Sequence, residues 1–354
     1  MEISTHEQLT ERDQRILFAV IGEYITTAEP VGSRTISRKY TFGLSPATIR
    51  NIMSDLEEIG LLLQPHTSAG RIPTDQGFRV YVDHLEHTRE AFEKLASSSI
   101  EEVLHDQTEL GTFMKKATEI LSALSQQAGV FLAPNLRSMI CRHIDFIKLN
   151  NAQVLVIFIS ESGMVHKRAI RLDSDISQDL LDKISKLVTS TLMGLTLSEI
   201  RTKLVRMMTS EKARFDELLS RAIQLSQAFF SDATEESELY VGGTLNMMSQ
   251  PEFADLEKMK TLFKTFEEKQ LLINILDKCL DENGEQVKVI IGNENPQANT
   301  QDLSFVMSSY KAGDRILGVV GVVGPKRMNY MHVIPIVEHT AKTVSRLLTD
   351  RTET

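Results

Sequence analysis

Apolar side chains recur at helical spacing in the first sixty residues and indicate three successive helices. The first helix follows Thr10, which begins a capping box, and its apolar positions lie within residues 16–25. A short second helix is predicted over residues 33–40. Ser45-Pro46 is a strong start for the third helix, because serine caps free N–H groups and proline has no N–H to leave unsatisfied. Gly60 ends the third helix.

A hairpin and a fourth helix follow. Two short runs, Leu61–Pro65 and Arg71–Pro73, flank the polar turn 66–70, which is typical of a β-hairpin. Thr74 then caps a helix that reaches Leu85 with its apolar side chains facing inward. The order of helix, helix, turn, helix, hairpin and helix predicts a winged helix-turn-helix for this first block.

The rest of the chain alternates between strand-like and helical patterns. Residues 86–105 are charged and rich in serine, as in a connector, and a long amphipathic helix is predicted from Leu110. The stretch 174–236 is almost entirely helical in pattern and interrupts the strand-like runs. A mixed sheet split by a helical insertion fits this order. The strand-like runs are 144–149, 154–159, 165–172, 239–241, 287–291, 305–310 and 316–323, and a final helix covers 333–348.

Composition is that of an ordinary globular protein. The chain has 354 residues, 42% hydrophobic and 25% charged, and its 39 basic and 48 acidic residues give a net charge of −9. No apolar run approaches the roughly 20 residues of a membrane helix, and the first residues do not resemble a secretion signal, so no membrane is involved and a cytoplasmic protein is expected. Cys141 and Cys279 are far apart, which favours reduced core thiols.

The first block carries a local positive face although the whole chain is acidic. Residues 31–54 contain four basic side chains and no acidic one. The third helix has an apolar side and an opposite side that is small and polar, which suits the major groove of DNA. The candidate DNA contacts are Ser45, Ala47, Thr48, Arg50, Asn51 and Ser54 on the third helix, Arg34, Arg38 and Lys39 on the second, and His66, Thr67, Ser68, Gly70 and Arg71 on the hairpin.

Two kinds of contact are expected from these residues. Arg50 and Asn51 should read base edges, because arginine pairs well with guanine and asparagine with adenine. Ser45 sits where a helix N-terminus favours a phosphate, and the basic residues of the second helix and of the hairpin should meet phosphates or the minor-groove edge. Any one basic residue is more often a plain solvated side chain, and Gly70-Arg71 fits a turn glycine and a surface arginine equally well. The caps, the order of elements and the segregated charge together favour DNA binding.

Several runs of the sequence resemble the heat-inducible transcription repressor family HrcA. They are Leu44–Met53 with Asp55–Glu57 and Gly60-Leu61, Pro65–Thr74, Glu29–Arg34, Ile291–Glu294 and Ser308–Tyr310. The resemblance covers nearly the full chain and implies an α+β multidomain fold: a winged helix-turn-helix, a GAF-like mixed α/β domain, and a helical dimerising domain inserted into it. The corresponding boundaries are 1–88 for the winged helix, 89–105 for a linker, 106–173 and 237–354 for the two parts of the GAF-like domain, and 174–236 for the insertion.

The resemblance also implies a function and partners. It implies a homodimer that binds double-stranded operator DNA at the CIRCE inverted repeat, represses chaperone operons and depends on the chaperonin GroEL. The helices of 174–236 are the expected dimer interface, because an inserted helical segment must bury its apolar faces somewhere. Packing of these helices within one chain is the alternative. No cofactor is expected.

Two other functions are alternatives to this one. One alternative is a winged-helix regulator controlled by a small molecule that binds in the GAF-like domain, although no residue of the sequence indicates which ligand it would bind. An enzyme is disfavoured, because the SxxK spacing of Ser308 and Lys311 falls on a strand-like run, where successive side chains alternate faces. Gly318, Gly321 and Gly324 favour close packing in a buried strand rather than a phosphate-binding loop. The histidines are isolated, so no metal site is predicted.

Overall fold

A computed structural model describes residues 9–86, 110–134, 139–161, 163, 165–172, 175–208, 217–231, 238–280, 286–297, 299–313 and 315–353. The predicted linker 89–105 lies outside these residues. The described chain is a mixed α/β protein whose strands all pair in antiparallel fashion. None of the helices in these segments is long and apolar enough to cross a membrane.

Four helices and a hairpin form the N-terminal unit, residues 9–86. The predicted caps are confirmed: Thr10 and Ser45 accept hydrogen bonds from backbone N–H groups three residues later, at 3.3 and 3.1 Å. Local capping chemistry therefore sets where the first and third helices begin. The elements are α1 (Glu11–Thr27), α2 (Ser33–Lys39), α3 (Pro46–Glu58), β1 (Leu62–Leu63), β2 (Ile72–Pro73) and α4 (Asp75–Glu86).

Helices and strands alternate through the rest of the described chain. The elements are α5 (Leu110–Ser125), β3 (Ala128–Leu132), β4 (Cys141–Asn150), β5 (Gln153–Ser160), β6 (Val165–Arg171), α6 (Gln178–Leu192), α7 (Leu197–Met208), α8 (Glu217–Ser231), β7 (Leu239–Gly242), α9 (Leu245–Met248), α10 (Leu256–Glu267), α11 (Lys269–Leu280), β8 (Lys288–Ile291), β9 (Leu303–Ala312), β10 (Arg315–Pro325) and α12 (Tyr330–Glu353), with short 3₁₀ turns at Pro251–Phe253 and Gly292–Glu294.

A five-stranded sheet of order β7–β3–β10–β9–β8 has helices on both faces. Its strands pair only in antiparallel fashion, which corrects the mixed sheet expected from the sequence. Alternate residues of β3 belong to different hydrophobic cores, with Val130 on the side of α11 and Phe131 on the side of α5 and α12. The predicted close packing at Gly318 and Gly321 is confirmed, because an added Cβ would lie 2.3 and 2.5 Å from carbonyl oxygens of neighbouring strands.

A second sheet contains only β4, β5 and β6, in that order. Helices α6 and α8 pack against it, and the rings of Phe158 and Phe229 lie 6.3 Å apart in this contact. Helix α6 also covers the outer edge of β4. Ser185 Oγ accepts from the Phe146 N–H at 3.0 Å, and the Thr189 hydroxyl bonds both backbone groups of Ile144, at 3.1 and 3.0 Å. Side chains of a helix thus occupy the hydrogen-bonding positions that a further strand would need.

Two sequence predictions about individual side chains are confirmed by the fold. Cys141 and Cys279 are both buried and form no disulfide, and burial raises the pKa of the Cys141 thiol to about 12. Ser308 and Lys311 lie on strand β9, so three residues of separation place them on opposite faces. The SxxK spacing therefore does not bring the two side chains together.

Candidate nucleic-acid interface

Helix α3 has the division of apolar and polar side chains that its sequence predicts. Ile49, Ile52, Met53 and Leu56 are buried, while Arg50 and Asn51 are exposed on the other side together with Ala47. Thr48 and Ser54 border this exposed side and are partly covered. Because the apolar residues hold one side of α3 in the core, its polar side is presented to solvent in a fixed orientation.

Only some of the hydrogen-bonding groups at the N-terminus of α3 are available to bind an anion. The exposed Ser45 hydroxyl caps the helix through the Thr48 N–H and lies 2.9 Å from the Thr48 hydroxyl. Pro46 has no N–H, and the Thr48 N–H donates to Ser45. Among the residues of the first turn, this leaves the Ala47 N–H without an acceptor inside the helix. Ser45 therefore shapes the N-terminus of α3, and its oxygen is already engaged.

The basic residues of α2 differ in their surroundings. Arg34 and Arg38 are exposed, and among the described residues neither forms an ion pair. Lys39 instead lies 2.5 Å from the Glu23 carboxylate on α1, whose side chain is only 7% exposed. Since α2 packs against α3, Arg34 and Arg38 add positive charge beside the polar side of α3, whereas the charge of Lys39 balances a buried acid.

The tip of the hairpin is exposed and is held by a residue that the sequence did not single out. His66, Thr67 and Ser68 are exposed at the turn. The Gln64 side-chain amide donates to the carbonyl oxygens of Thr67 and Ala69, at 3.1 and 2.9 Å. A lone glutamine beside a turn carries no pattern from which this role could be predicted.

Gly70 and Arg71 lie at the base of the hairpin rather than at its tip. The Arg71 guanidinium is 2.8 Å from the Glu57 carboxylate, and its side chain is 16% exposed. Its backbone exchanges two 2.9 Å hydrogen bonds with Val31, and a Cβ at Gly70 would lie 2.3 Å from the Val31 carbonyl oxygen. A contact between Arg71 and DNA would therefore require the Glu57 pair to open.

Similarity to known proteins identifies the family of this chain. A family model described as HrcA protein C terminal domain matches residues 111–334. The heat-inducible transcription repressor HrcA of Geobacter sulfurreducens is 42% identical over 341 residues, which cover 96% of this chain and 98% of that protein. The chain belongs to the HrcA family of heat-inducible transcription repressors. The resemblance stated from the sequence is thus confirmed.

A second relative agrees with this assignment, and a solved structure shares the fold. The HrcA repressor of Syntrophobacter fumaroxidans is 41% identical over 341 residues, covering 96% of this chain and 97% of the relative. A crystal structure described as a hypothetical protein at 2.2 Å resolution matches with a TM-score of 0.67 and 22% identity, over 97% of this chain and 100% of that one. That likeness establishes a shared fold between the two chains.

Proposed function

We propose that this HrcA-family chain represses chaperone operons by binding an inverted-repeat operator of the CIRCE type as a homodimer, and that its activity depends on GroEL. The observation that carries the proposal is the exposed polar side of α3, with Arg50 and Asn51 near its first turn, in a member of a repressor family. In this reading the N-terminal unit is a winged helix-turn-helix, α3 is its recognition helix and the hairpin is its wing.

The role that we propose for each side chain depends on whether it is exposed or is paired or packed within the N-terminal unit. Arg50 and Asn51 would read base edges in the major groove, with Ala47, Thr48 and Ser54 beside them. Arg34 and Arg38 would contact phosphates, as would the wing tip residues His66, Thr67 and Ser68. Ser45 would do so by donating its hydroxyl proton, while its oxygen continues to cap α3. Lys39, Gly70 and Arg71 would act mainly by holding the fold of the unit, because Lys39 and Arg71 are paired with Glu23 and Glu57 and Gly70 packs on Val31.

The outer face of the second sheet is the proposed dimer interface. Ile147, Leu149 and Val165 are 38%, 51% and 59% exposed, and β-pairing places Leu155 beside Ile147 and Ile159 beside Val165. These residues share one face because they alternate with buried ones. Asp145, Lys167 and Arg171 lie on the same face. An exposed apolar patch with charged neighbours is a typical site of association between copies of one chain.

The helices of 174–236, which the sequence predicts as the dimer interface, bury apolar residues inside the chain. On α6 these include Leu181, Ile184 and Val188. We therefore propose that the inserted dimerising unit begins at about residue 139 and includes β4–β6, while the GAF-like domain is the five-stranded unit on either side of it.

A charged residue on the outer sheet face is expected to separate the dimer. Ile147→Glu would place a carboxylate in the interface, at a desolvation cost of several kcal/mol. Light scattering at micromolar concentration should therefore give a dimer mass for the native chain and a monomer mass for the variant. Met193→Glu, at a 61% exposed position after α6, is the matched control and should remain dimeric. A monomeric native chain that still binds the operator tightly would contradict the proposed interface.

The DNA activity itself is tested by footprinting. The purified chain should protect an inverted repeat upstream of the chaperone genes of its own organism, and a duplex that contains a single half-site should bind far more weakly. Uniform weak binding to every promoter fragment would contradict a sequence-specific repressor.

Dependence on GroEL has a physical motive. A repressor of chaperone genes reports the supply of free chaperonin if its own active fold is marginally stable and is reached only with help. Chain refolded with GroEL and ATP should therefore regain more operator-binding activity than chain refolded without them. An equal yield of active chain at every temperature would count against this part of the proposal.

A further inference from the structure

Asp75, the first residue of α4, is held by residues more than 200 positions later in the chain. Its carboxylate accepts hydrogen bonds from the Asn293 N–H at 3.0 Å, the Asn293 side-chain amide at 2.7 Å and Lys326 Nζ at 2.7 Å. Burial acts to raise the pKa of Asp75, but these donors outweigh it and hold the pKa below its ordinary value. Gly292 has a φ of +49°, and a Cβ there would lie 2.6 Å from the Asp75 carboxylate.

Arg79 makes a second contact one turn further along α4. Its guanidinium donates to both carboxylate oxygens of Glu294, with 2.7 Å from Nε to Oε1, and to the Val289 carbonyl oxygen at 2.7 Å. A forked pair of this kind fixes direction as well as distance. Between the two polar contacts, the buried rings of Phe78 and Tyr330 lie 6.1 Å apart. We call Asp75, Arg79, Asn293, Glu294 and Lys326 the α4 joint.

A further contact lies at the end of α1. Arg327, which follows Lys326 in the chain, donates to the Ile25 carbonyl oxygen at 2.9 Å and pairs with Glu252. The N-terminal unit is thus held to the five-stranded unit through both α1 and α4. Two attachments on different helices restrain rotation as well as separation.

The attachments leave the candidate DNA surface free. None of the contacts above uses α3, α2 or the hairpin tip, so the joint can hold the N-terminal unit while its polar face is open to DNA. The joint also contains Asn293 and Glu294, the last two residues of the run Ile291–Glu294 that resembles the family.

We propose that Asp75 and Arg79 are positioning residues for DNA recognition, which hold α3 at one orientation in each subunit and so set the single spacing of operator half-sites that the dimer accepts. This inference rests on the proposed binding of an inverted repeat by a dimer. Two recognition helices on rigid units fit one separation along the DNA, because each added base pair moves and rotates the second site. Helices on loosely held units accept several separations, and ordering them on binding weakens the complex.

The test compares the native chain with Arg79→Gln and with the milder Asp75→Asn, as full-length dimers. Affinity is measured for inverted-repeat duplexes whose half-sites are moved apart in single base-pair steps through about five base pairs, half a turn of DNA. A single half-site duplex reports the reading face alone. Amide hydrogen exchange of residues 288–295 without DNA reports whether the joint is closed. Glu257→Gln, which breaks the Lys260–Glu257 pair on α10, is the control for loss of an ion pair elsewhere.

For the native chain we expect a sharp optimum at one spacing. In the two joint variants the affinity at that optimum should fall about tenfold, while other spacings lose little, so that the profile flattens. Single half-site affinity should stay as in the native chain, and residues 288–295 should exchange faster. Glu257→Gln should match the native chain in every measurement.

Two outcomes would overturn the inference. One is an unchanged spacing profile in variants whose hydrogen exchange demonstrates an open joint. The other is tighter binding of the variants at the native spacing, which would make the joint a restraint on DNA binding. Failure of the native chain to bind inverted repeats at any spacing would instead refute the proposed function, and the hydrogen-exchange result would still report on the joint.

Discussion

Arg50→Ala is expected to weaken operator binding by about 5- to 150-fold, equivalent to 1–3 kcal/mol for one good base contact, while binding to a scrambled duplex changes little. The reason is structural. Arg50 is exposed on the polar side of α3, without an ion pair among the described residues, so its side chain is available to a base edge. The measurement is a titration of both duplexes across a series of salt concentrations.

Arg38→Ala is the matched control for this prediction, since Arg38 is another exposed arginine of the N-terminal unit. It should weaken binding to both duplexes alike and reduce the log–log salt slope by about one unit, as the loss of a phosphate contact does. Lys39 and Arg71 are poorer controls, because each is paired with an acidic side chain within the unit. Equal losses on both duplexes for Arg50→Ala would contradict the assignment of α3 as the recognition helix.

Gly77→Ala is expected to lower the free energy of unfolding by about 1–3 kcal/mol, the usual range for overpacking a well-packed site. Helix propensity alone predicts the opposite sign, because alanine in a helix interior is favoured over glycine by about 1 kcal/mol. The structure decides between them. A Cβ at Gly77 would lie 2.2 Å from the carbonyl oxygen of Leu61, which also accepts the Thr74 N–H at 3.1 Å. Helix α4 would have to move away from Leu61, the residue before β1.

Gly22→Ala supplies the comparison within the same unit. Gly22 lies inside α1, and a Cβ there would meet the Tyr40 hydroxyl at 3.8 Å, an ordinary contact. This variant should gain up to about 1 kcal/mol. Denaturant unfolding of both variants gives the two changes with opposite sign. A stabilised Gly77→Ala would contradict this prediction, because it would mean that α4 can shift enough to accept the added Cβ beside Leu61.

Sequence reasoning predicted the N-terminal unit well because its signals are local. The capping serine and threonine, the glycine after α3 and the apolar spacing of each helix lie within a few residues of what they determine. The strand β3 was missed. Its five residues, Ala128–Leu132, are all buried, and a short continuous apolar run has no period by which a strand differs from a helix.

The exposed polar side of α3 could be predicted from the sequence, whereas the side-chain partners of the candidate DNA contacts could not. The exposed side of α3 follows from helical geometry, which the sequence contains. The pairing of Arg71 with Glu57 depends on how the hairpin folds back, and the α4 joint links residues more than 200 positions apart. Such contacts are set by tertiary packing, so the charged residues of α4 give no local sign that they hold two units together.

The covering of β4 by α6 has a consequence for the chain before it is fully folded. The side chains of Ser185 and Thr189 reach backbone groups 39 and 45 residues earlier in the chain, so the edge of β4 is complete only after α6 has docked. Until then, an open strand edge lies beside the apolar face of the same sheet, and both can pair with other chains. Withdrawal of α6 from the folded chain would expose the same strand edge and apolar face again, so the docking of one helix controls whether this sheet can associate with other chains.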